Sequence, residues 1–368
     1  MRRCIPFICA LVVISTIGAG RAWSQARVNP DISAITDMRY VARDDVAKSL
    51  AGSRTTSFEF EELELNYSAY LNPYSRADVF ISTGLEGPVE IEEAYATVLR
   101  GLPVQARFGK YKLDMGKVNT QHPHQWGWLD TPLMLKSFFG EEGASAPAVN
   151  VSRLQPVGDT AVTLSANAFQ AGFFEHERGE EADAGADSTS ESEDAPPEIG
   201  YSGRLSAFRS LTDFLHVEAG ASYMFATYDP AHNLDAKVGG VDFKLKWRPD
   251  TYRSITFVAE AMRSDREVED ETTEAILNVV AYGAFSAGEV RFRKRFDVGG
   301  FVDWAQDSMV DGAETTAGGG YFGFMPVEET LRFSAVYRHE TSDFYEGSDN
   351  MVTVQVLWAV GPHKPHQF

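Results

Sequence analysis

The two-faced stretches of this chain are joined by connections that are short at every second position and long, usually acidic, at the others. A soluble β-sandwich has no reason to gather its tight turns at one end. A barrel threaded into a membrane from one side does, because such barrels carry short turns at one rim and long loops at the other. The expected fold is therefore all-β: a transmembrane antiparallel β-barrel of about sixteen strands, with roughly 14–18 as the range of the count.

The strands themselves show in the period-2 alternation of side chains. Leu63, Leu65, Tyr67, Ala69 and Leu71 share one face, with Glu62, Glu64, Asn66, Ser68 and Tyr70 on the other. Val241, Phe243, Leu245 and Trp247 oppose Asp242, Lys244, Lys246 and Arg248. Leu331, Phe333, Ala335 and Tyr337 oppose Arg332, Ser334, Val336 and Arg338. Each such strand has one lipid-compatible face and one wet face carrying both signs of charge, which a dry sandwich core would not tolerate without pairing. Tight turns are expected at Asn72-Pro73, Gly101-Leu102-Pro103, Pro156-Val157-Gly158, Leu211-Thr212-Asp213, Pro249-Asp250, Arg295-Phe296-Asp297 and Pro326-Val327-Glu328. Alternation weakens over residues 59–64, 91–96 and 285–293, where bulges are expected.

Residues 1–24 read as a signal peptide, with Arg2 and Arg3, an apolar core and the small-residue site Ala22-Trp23-Ser24. Both cysteines, Cys4 and Cys9, fall inside it, so an exported chain must hold itself together without disulfides. A closed barrel, with every backbone group paired, can. Beyond the leader no apolar run approaches the roughly 18 residues of a spanning helix. A net charge of -20 argues against a nucleic-acid partner. Residues 25–368 are read as one barrel domain.

Two loops stand out. Residues 174–198 are dense in Glu, Asp, Ser and Ala and read as a solvated loop. Residues 111–143 are too long for an ordinary connection and hold Trp126, Trp128, Phe138 and Phe139. That much apolar surface must be buried, and in a barrel of this size the lumen is the available place. Lys112, Asp114, Lys117 and His124 then become candidate constriction charges, with Glu62, Glu64, Asp242, Lys244, Lys246, Arg332 and Arg338 on the wall.

Enzyme signatures are lacking: there is no G-x-S-x-G elbow, H-E-x-x-H pair or P-loop. Gly318-Gly319-Gly320-Tyr321-Phe322-Gly323 matches a dinucleotide fingerprint as a string, but no helix pattern follows, so it reads as a strand eased by glycines. No catalytic residue is assigned, and no cofactor is required. His122 with His124, and His363 with His366, have spacings that would offer imidazoles to a borderline metal such as Zn²⁺.

Several segments carry a family resemblance: Asn29-Pro30-Asp31-Ile32-Ser33, the Glu-rich strand from Glu90 to Tyr95, Phe108-Gly109-Lys110, the stretch from Asn119 to His124, and the ending from Gly361 to Phe368. Together they resemble a group of porin-like Gram-negative outer-membrane proteins, distantly similar to the phosphate-selective porins, some of which carry zinc-regulated or TonB-dependent receptor labels. The resemblance implies an outer-membrane channel. The chain departs from the phosphate-selective type in having no regular arginine ladder, and from TonB-dependent receptors in having no room for a plug domain and a roughly 22-stranded barrel.

The resulting expectation is a passive diffusion channel for small hydrophilic solutes or ions, in the cell outer membrane with both termini periplasmic. Its partners would be outer-membrane lipid and lipopolysaccharide, the barrel-assembly machinery acting on the C-terminal strand and Phe368, and two further copies in a homotrimer. Alternatives are a non-conducting barrel for surface binding or structure, and a zinc-uptake barrel.

Overall fold

The computed structural model describes residues 30–44, 56–85, 87–174, 198–269, 273, 275–328 and 330–361. The expected leader, nearly all of the acidic loop, His363, His366 and Phe368 lie outside the described residues. Sixteen strands, all antiparallel to their neighbours, close into one barrel, and β1 (Asp31–Arg43) pairs with β16 (Asp349–Val360) from Ala34↔Val360 to Arg43↔Met351. No helix among the described residues is long and apolar enough to cross a membrane.

In chain order the remaining strands are β2 (Thr56–Asn72), β3 (Ser75–Thr83), β4 (Glu90–Val98), β5 (Gln105–Lys112), β6 (Ser145–Val157), β7 (Thr160–Gln170) and β8 (Ile199–Ser210). They continue as β9 (Leu215–Asp229), β10 (Leu234–Trp247), β11 (Ser254–Glu269), β12 (Ile276–Phe292), β13 (Phe296–Gln306), β14 (Glu314–Val327) and β15 (Leu331–Ser342). The seven expected turns all fall at one rim, where β1 begins and β16 ends, although the opposite rim also has a short connection, residues 230–233 between β9 and β10. Boundaries differ at four of these turns: Asn72 ends β2, Pro156 and Val157 end β6, Pro326 and Val327 end β14, and Phe296 and Asp297 open β13, because Phe296 pairs with Phe292 and Phe324 and stacks on both rings.

Alternation sorts the side chains as expected. Val241, Phe243 and Trp247 are exposed outward, while Asp242 and Lys244 are buried inward. Gln355 is buried in the lumen and hydrogen-bonds Asp37 at 2.8 Å, whereas Val354 points out. The outward face is an apolar belt without a covering layer, which fits a lipid solvent and no aqueous one.

Two of the three irregular stretches hold bulges. The β1–β2 register steps from Asp37↔Glu62 to Met38↔Phe60, leaving Glu61 as the extra residue. The β3–β4 register steps from Phe80↔Glu93 to Ile81↔Ile91, leaving Glu92 extra. The third expectation fails, since residues 285–292 pair without a shift on both sides. A bulge lets two successive residues face the same way. Here it sets Glu61 beside Glu62, and Glu92 beside Glu93, on the lumen side. The glycine-rich string lies within β14. It matters at Gly319, where a Cβ would sit 1.9 Å from the Tyr337 carbonyl oxygen.

Candidate functional site: the lumen and its inward loop

Between β5 and β6, residues 113–144 leave the wall and fold into the barrel. They carry one turn of 3-10 helix (Pro123–Gln125) and a short helix, α1 (Leu133–Phe139). Pro132 starts α1 and Gly140, at φ 85°, ends it. The wall completes both ends: Asp303 of β13 accepts the Leu133 N–H at 2.9 Å, and the Arg266 guanidinium donates to the Phe138 carbonyl at 3.3 Å. Each supplies the charge that the helix end lacks.

Apolar contacts seat the loop. Leu113, Met115, Met134, Leu135, Phe138 and Phe139 are almost fully buried, in one cluster with Phe169, Met224, Ala226, Leu234, Ala236 and Val238 of the wall. Phe138 and Phe139 need this, because roughly 1.5–3 kcal/mol each is at stake in burying a side chain of that size. Trp126 stacks on Trp128, whose ring meets Phe285. Polar anchors add direction: Glu260 of β11 accepts the N–H groups of Lys117 and Val118, the latter at 2.6 Å, and Lys117 Nζ reaches Glu218 of β9 at 2.7 Å.

The space left is divided into chambers. On the loop-rim side a cavity of about 420 Å³ is bordered by Glu61, Glu62, Glu90, Glu92, Asp130 and Glu141, against Arg39, Lys112 and Lys136. On the turn-rim side a cavity of about 230 Å³ is bordered by His124, Lys244, Lys246, Arg291 and Arg332, against Glu289 and Glu328. Gln121 of the inward loop borders both, and also a recess of about 110 Å³ beside Trp128 and Tyr321. One chamber is thus acidic, the other basic, and the loop stands between them.

The expected constriction residues divide accordingly. Lys112 and Glu62 line the acidic chamber; His124, Lys244, Lys246 and Arg332 line the basic one. Asp114 instead accepts from Asn150 on β6 at 3.2 Å, and Lys117 is held by Glu218. Asp242 pairs with Arg204, Arg332 with Asp297 at 2.8 Å, and Arg338 with Glu340 at 2.7 Å and Asp130 at 3.6 Å. Reading the chain alone missed Arg39, Glu61, Gln121, Asp130, Glu289 and Arg291, which line these chambers, and Glu260 and Asp303, which hold the loop.

Beside the acidic chamber lies a buried knot of charge. His122 stacks on Phe80 of β3 at 4.7 Å between ring centres and on His124 at 5.6 Å. Its Nε2 meets Glu93 Oε1 at 2.8 Å; its Nδ1 lies 3.1 Å from Glu64 Oε2 and 2.9 Å from Glu92 Oε2. His124 Nδ1 stands 3.4 Å from the same Glu64 oxygen. Burial opposes charge on His122, but the three carboxylates outweigh it and hold its protonation well above the ordinary histidine range. Glu64, Glu92 and His122 offer donor atoms within 4.8 Å of one another, so they are the residues here that could hold a metal.

No protein-family model matches the chain. A protein of Aquifex aeolicus (strain VF5), described as uncharacterized, is 28% identical over 283 residues, 69% of this chain and 59% of its own length. The chain therefore spans about three fifths of that relative. Among solved structures it is similar to an anion-selective porin from Comamonas acidovorans, with TM-score 0.58, 9% identity, and 90% and 100% of the two chains covered. It is also similar to OmpF of Salmonella typhi in complex with daunomycin, with TM-score 0.57, 10% identity and 90% and 97% covered. The trimer form of OmpT, an outer membrane protein of Vibrio cholerae, aligns with TM-score 0.54, 8% identity and 90% and 99% covered. At such identities the likeness is one of fold: the chain has the sixteen-strand architecture of the porins.

Proposed function

We propose that the protein is a porin-like channel of the Gram-negative outer membrane, passing small hydrophilic solutes or ions by diffusion. Its short turns and both chain termini would then face the periplasm. The observation that carries this reading is Gln121: one loop side chain borders both the acidic and the basic chamber, so the inward loop is what separates them. A charged passage narrowed by a loop sorts solutes by size and by electrostatics. The acidic chamber would concentrate cations on one side, and the basic chamber would favour anions on the other. The trimer form of the similar Vibrio cholerae protein supports a homotrimer here.

Planar-bilayer conductance of the purified protein tests the reading. Deleting residues 121–129 should raise single-channel conductance and relax ion preference, because the narrowest charged segment dominates both. A folded wild-type protein that never conducts would favour a non-conducting barrel.

A further inference from the structure

We infer that Glu64, Glu92 and His122, with His124 beside Glu64, form a binding site for a first-row divalent cation of the Zn²⁺ kind, set between the β2–β4 wall and the inward loop. Three independent features of the geometry support it.

The first is a set of buried polar atoms without partners. Glu64 Oε2, Glu92 Oε2, His122 Nδ1 and His124 Nδ1 have no hydrogen-bond partner, although they stand close together. Glu64 and His122 are only 2% and 5% exposed. The Nδ1 position has a single in-plane direction, so it cannot serve both carboxylates as a donor, and neither contact has hydrogen-bond geometry. Leaving such atoms without directed partners is costly, more so when they are charged. A cation held by Glu64, Glu92 and His122 would satisfy three of them at once, and His124 stands against the same Glu64 oxygen.

The second feature is spacing and chemistry. Metal–ligand bonds of about 2.0–2.1 Å place neighbouring ligand atoms of a tetrahedral ion roughly 3.3 Å apart. The two separations from His122 Nδ1, 2.9 and 3.1 Å, lie close to that value, and the three donor atoms all fall within 4.8 Å of one another. An imidazole with two carboxylates favours a borderline first-row ion over Mg²⁺ or Ca²⁺, which prefer oxygen alone. Three carboxylates, from Glu64, Glu92 and Glu93, crowd His122, so even an imidazolium leaves negative charge in excess, and a dication would match it.

The third feature is the shell behind the ligands. The far nitrogen of His122 meets Glu93 at 2.8 Å, the carboxylate–histidine pairing that fixes a ligating imidazole by its other N–H. Phe80 stacks on the ring and fixes its plane. The bulge at Glu92 brings both Glu92 and Glu93 inward, one to the donor set and the other behind it. Glu62 and Glu92 also border the acidic chamber, which gives an ion its way in.

The test is zinc binding by the full-length barrel, folded in detergent without a purification tag, stripped of metal and dialysed against Zn²⁺. One tight equivalent per chain is expected. His122→Ala should abolish it, Glu92→Gln should weaken it at least about ten-fold, and Glu93→Gln about 10–100-fold. Exposed His232→Ala and the double variant His363→Ala/His366→Ala should leave it unchanged. Heat-modifiable gel mobility checks folding; if His122→Ala does not fold, Glu92→Gln and zinc-edge X-ray absorption showing imidazole in the first shell carry the test. No tight equivalent in the wild type, or one that survives His122→Ala or Glu92→Gln in a folded barrel, overturns the inference. The readout is binding, so it stands or falls apart from whether the lumen conducts.

Discussion

Near the loop rim, β9 and β10 turn Met224, Ala226, Tyr228, Leu234, Ala236 and Val238 into the lumen, whereas β1, β2 and β4 turn in Asp37, Arg39, Glu64 and Glu93. Both sectors meet the same loop. Against the first, the loop packs as a protein core packs, with water excluded and Phe138 and Phe139 filling the space. Against the second it leaves a chamber and a knot of charge. The difference separates two jobs: apolar packing fixes where the loop lies, and the polar sector leaves the open, charged volume.

The largest expected effect breaks the apolar sector. Phe138→Ala should cost about 3–5 kcal/mol, the usual toll of emptying an aromatic core position. Urea titration in micelles measures it, and a loss below roughly 1 kcal/mol, the scale of one net hydrogen bond, would deny that packing holds the loop. The lipid face serves as the outside control. Val356→Arg should cost roughly 2–4 kcal/mol if the residue sits at mid-membrane, and inward Gln355→Arg, beside Asp37, much less. Equal costs would reject the register.

A smaller effect sharpens the polar side. Glu260→Gln removes the charge that receives the Lys117 and Val118 N–H groups and should cost about 1–3 kcal/mol. If it exceeds Phe138→Ala, the division between the two sectors is wrong. The smallest concerns stability least and selectivity most. Lys244→Gln with Lys246→Gln should shift the reversal potential toward cations at 0.01 M salt, and hardly at all at 1 M, where screening acts over about 3 Å. The same shift at both salts would place these lysines away from the ion path.

The wall was legible in the chain because each strand declares its faces locally: Val241 and Asp242 alternate whatever lies beyond them. The turns were legible in place for the same reason but not in extent: Val157 and Val327 still belong to strands, and at Phe296 ring stacking across three strands decided the boundary. Burial of the loop followed from its aromatics. Its partners did not follow, since Glu260 lies 143 residues from Lys117 and Asp303 lies 170 from Leu133, and nothing near either carboxylate signals the pairing. The pairing of His122 with Glu64 and Glu92 was hidden in another way: the extra residue that turns Glu92 inward shows in the chain only as a lapse in alternation.

The loop departs after the fifth strand, yet its holds on the wall reach forward to the ninth, eleventh, thirteenth and fifteenth. Behind it in the chain, β2 to β4 hold the same loop at His122. Its seat is therefore assembled from strands drawn from both halves of the sequence, and Arg338, which meets Asp130, lies on the last strand but one. The seat is complete only when the sheet has closed between β1 and β16. Burying the aromatic segment and sealing the sheet are thus one cooperative act, and neither half of the chain can finish it alone.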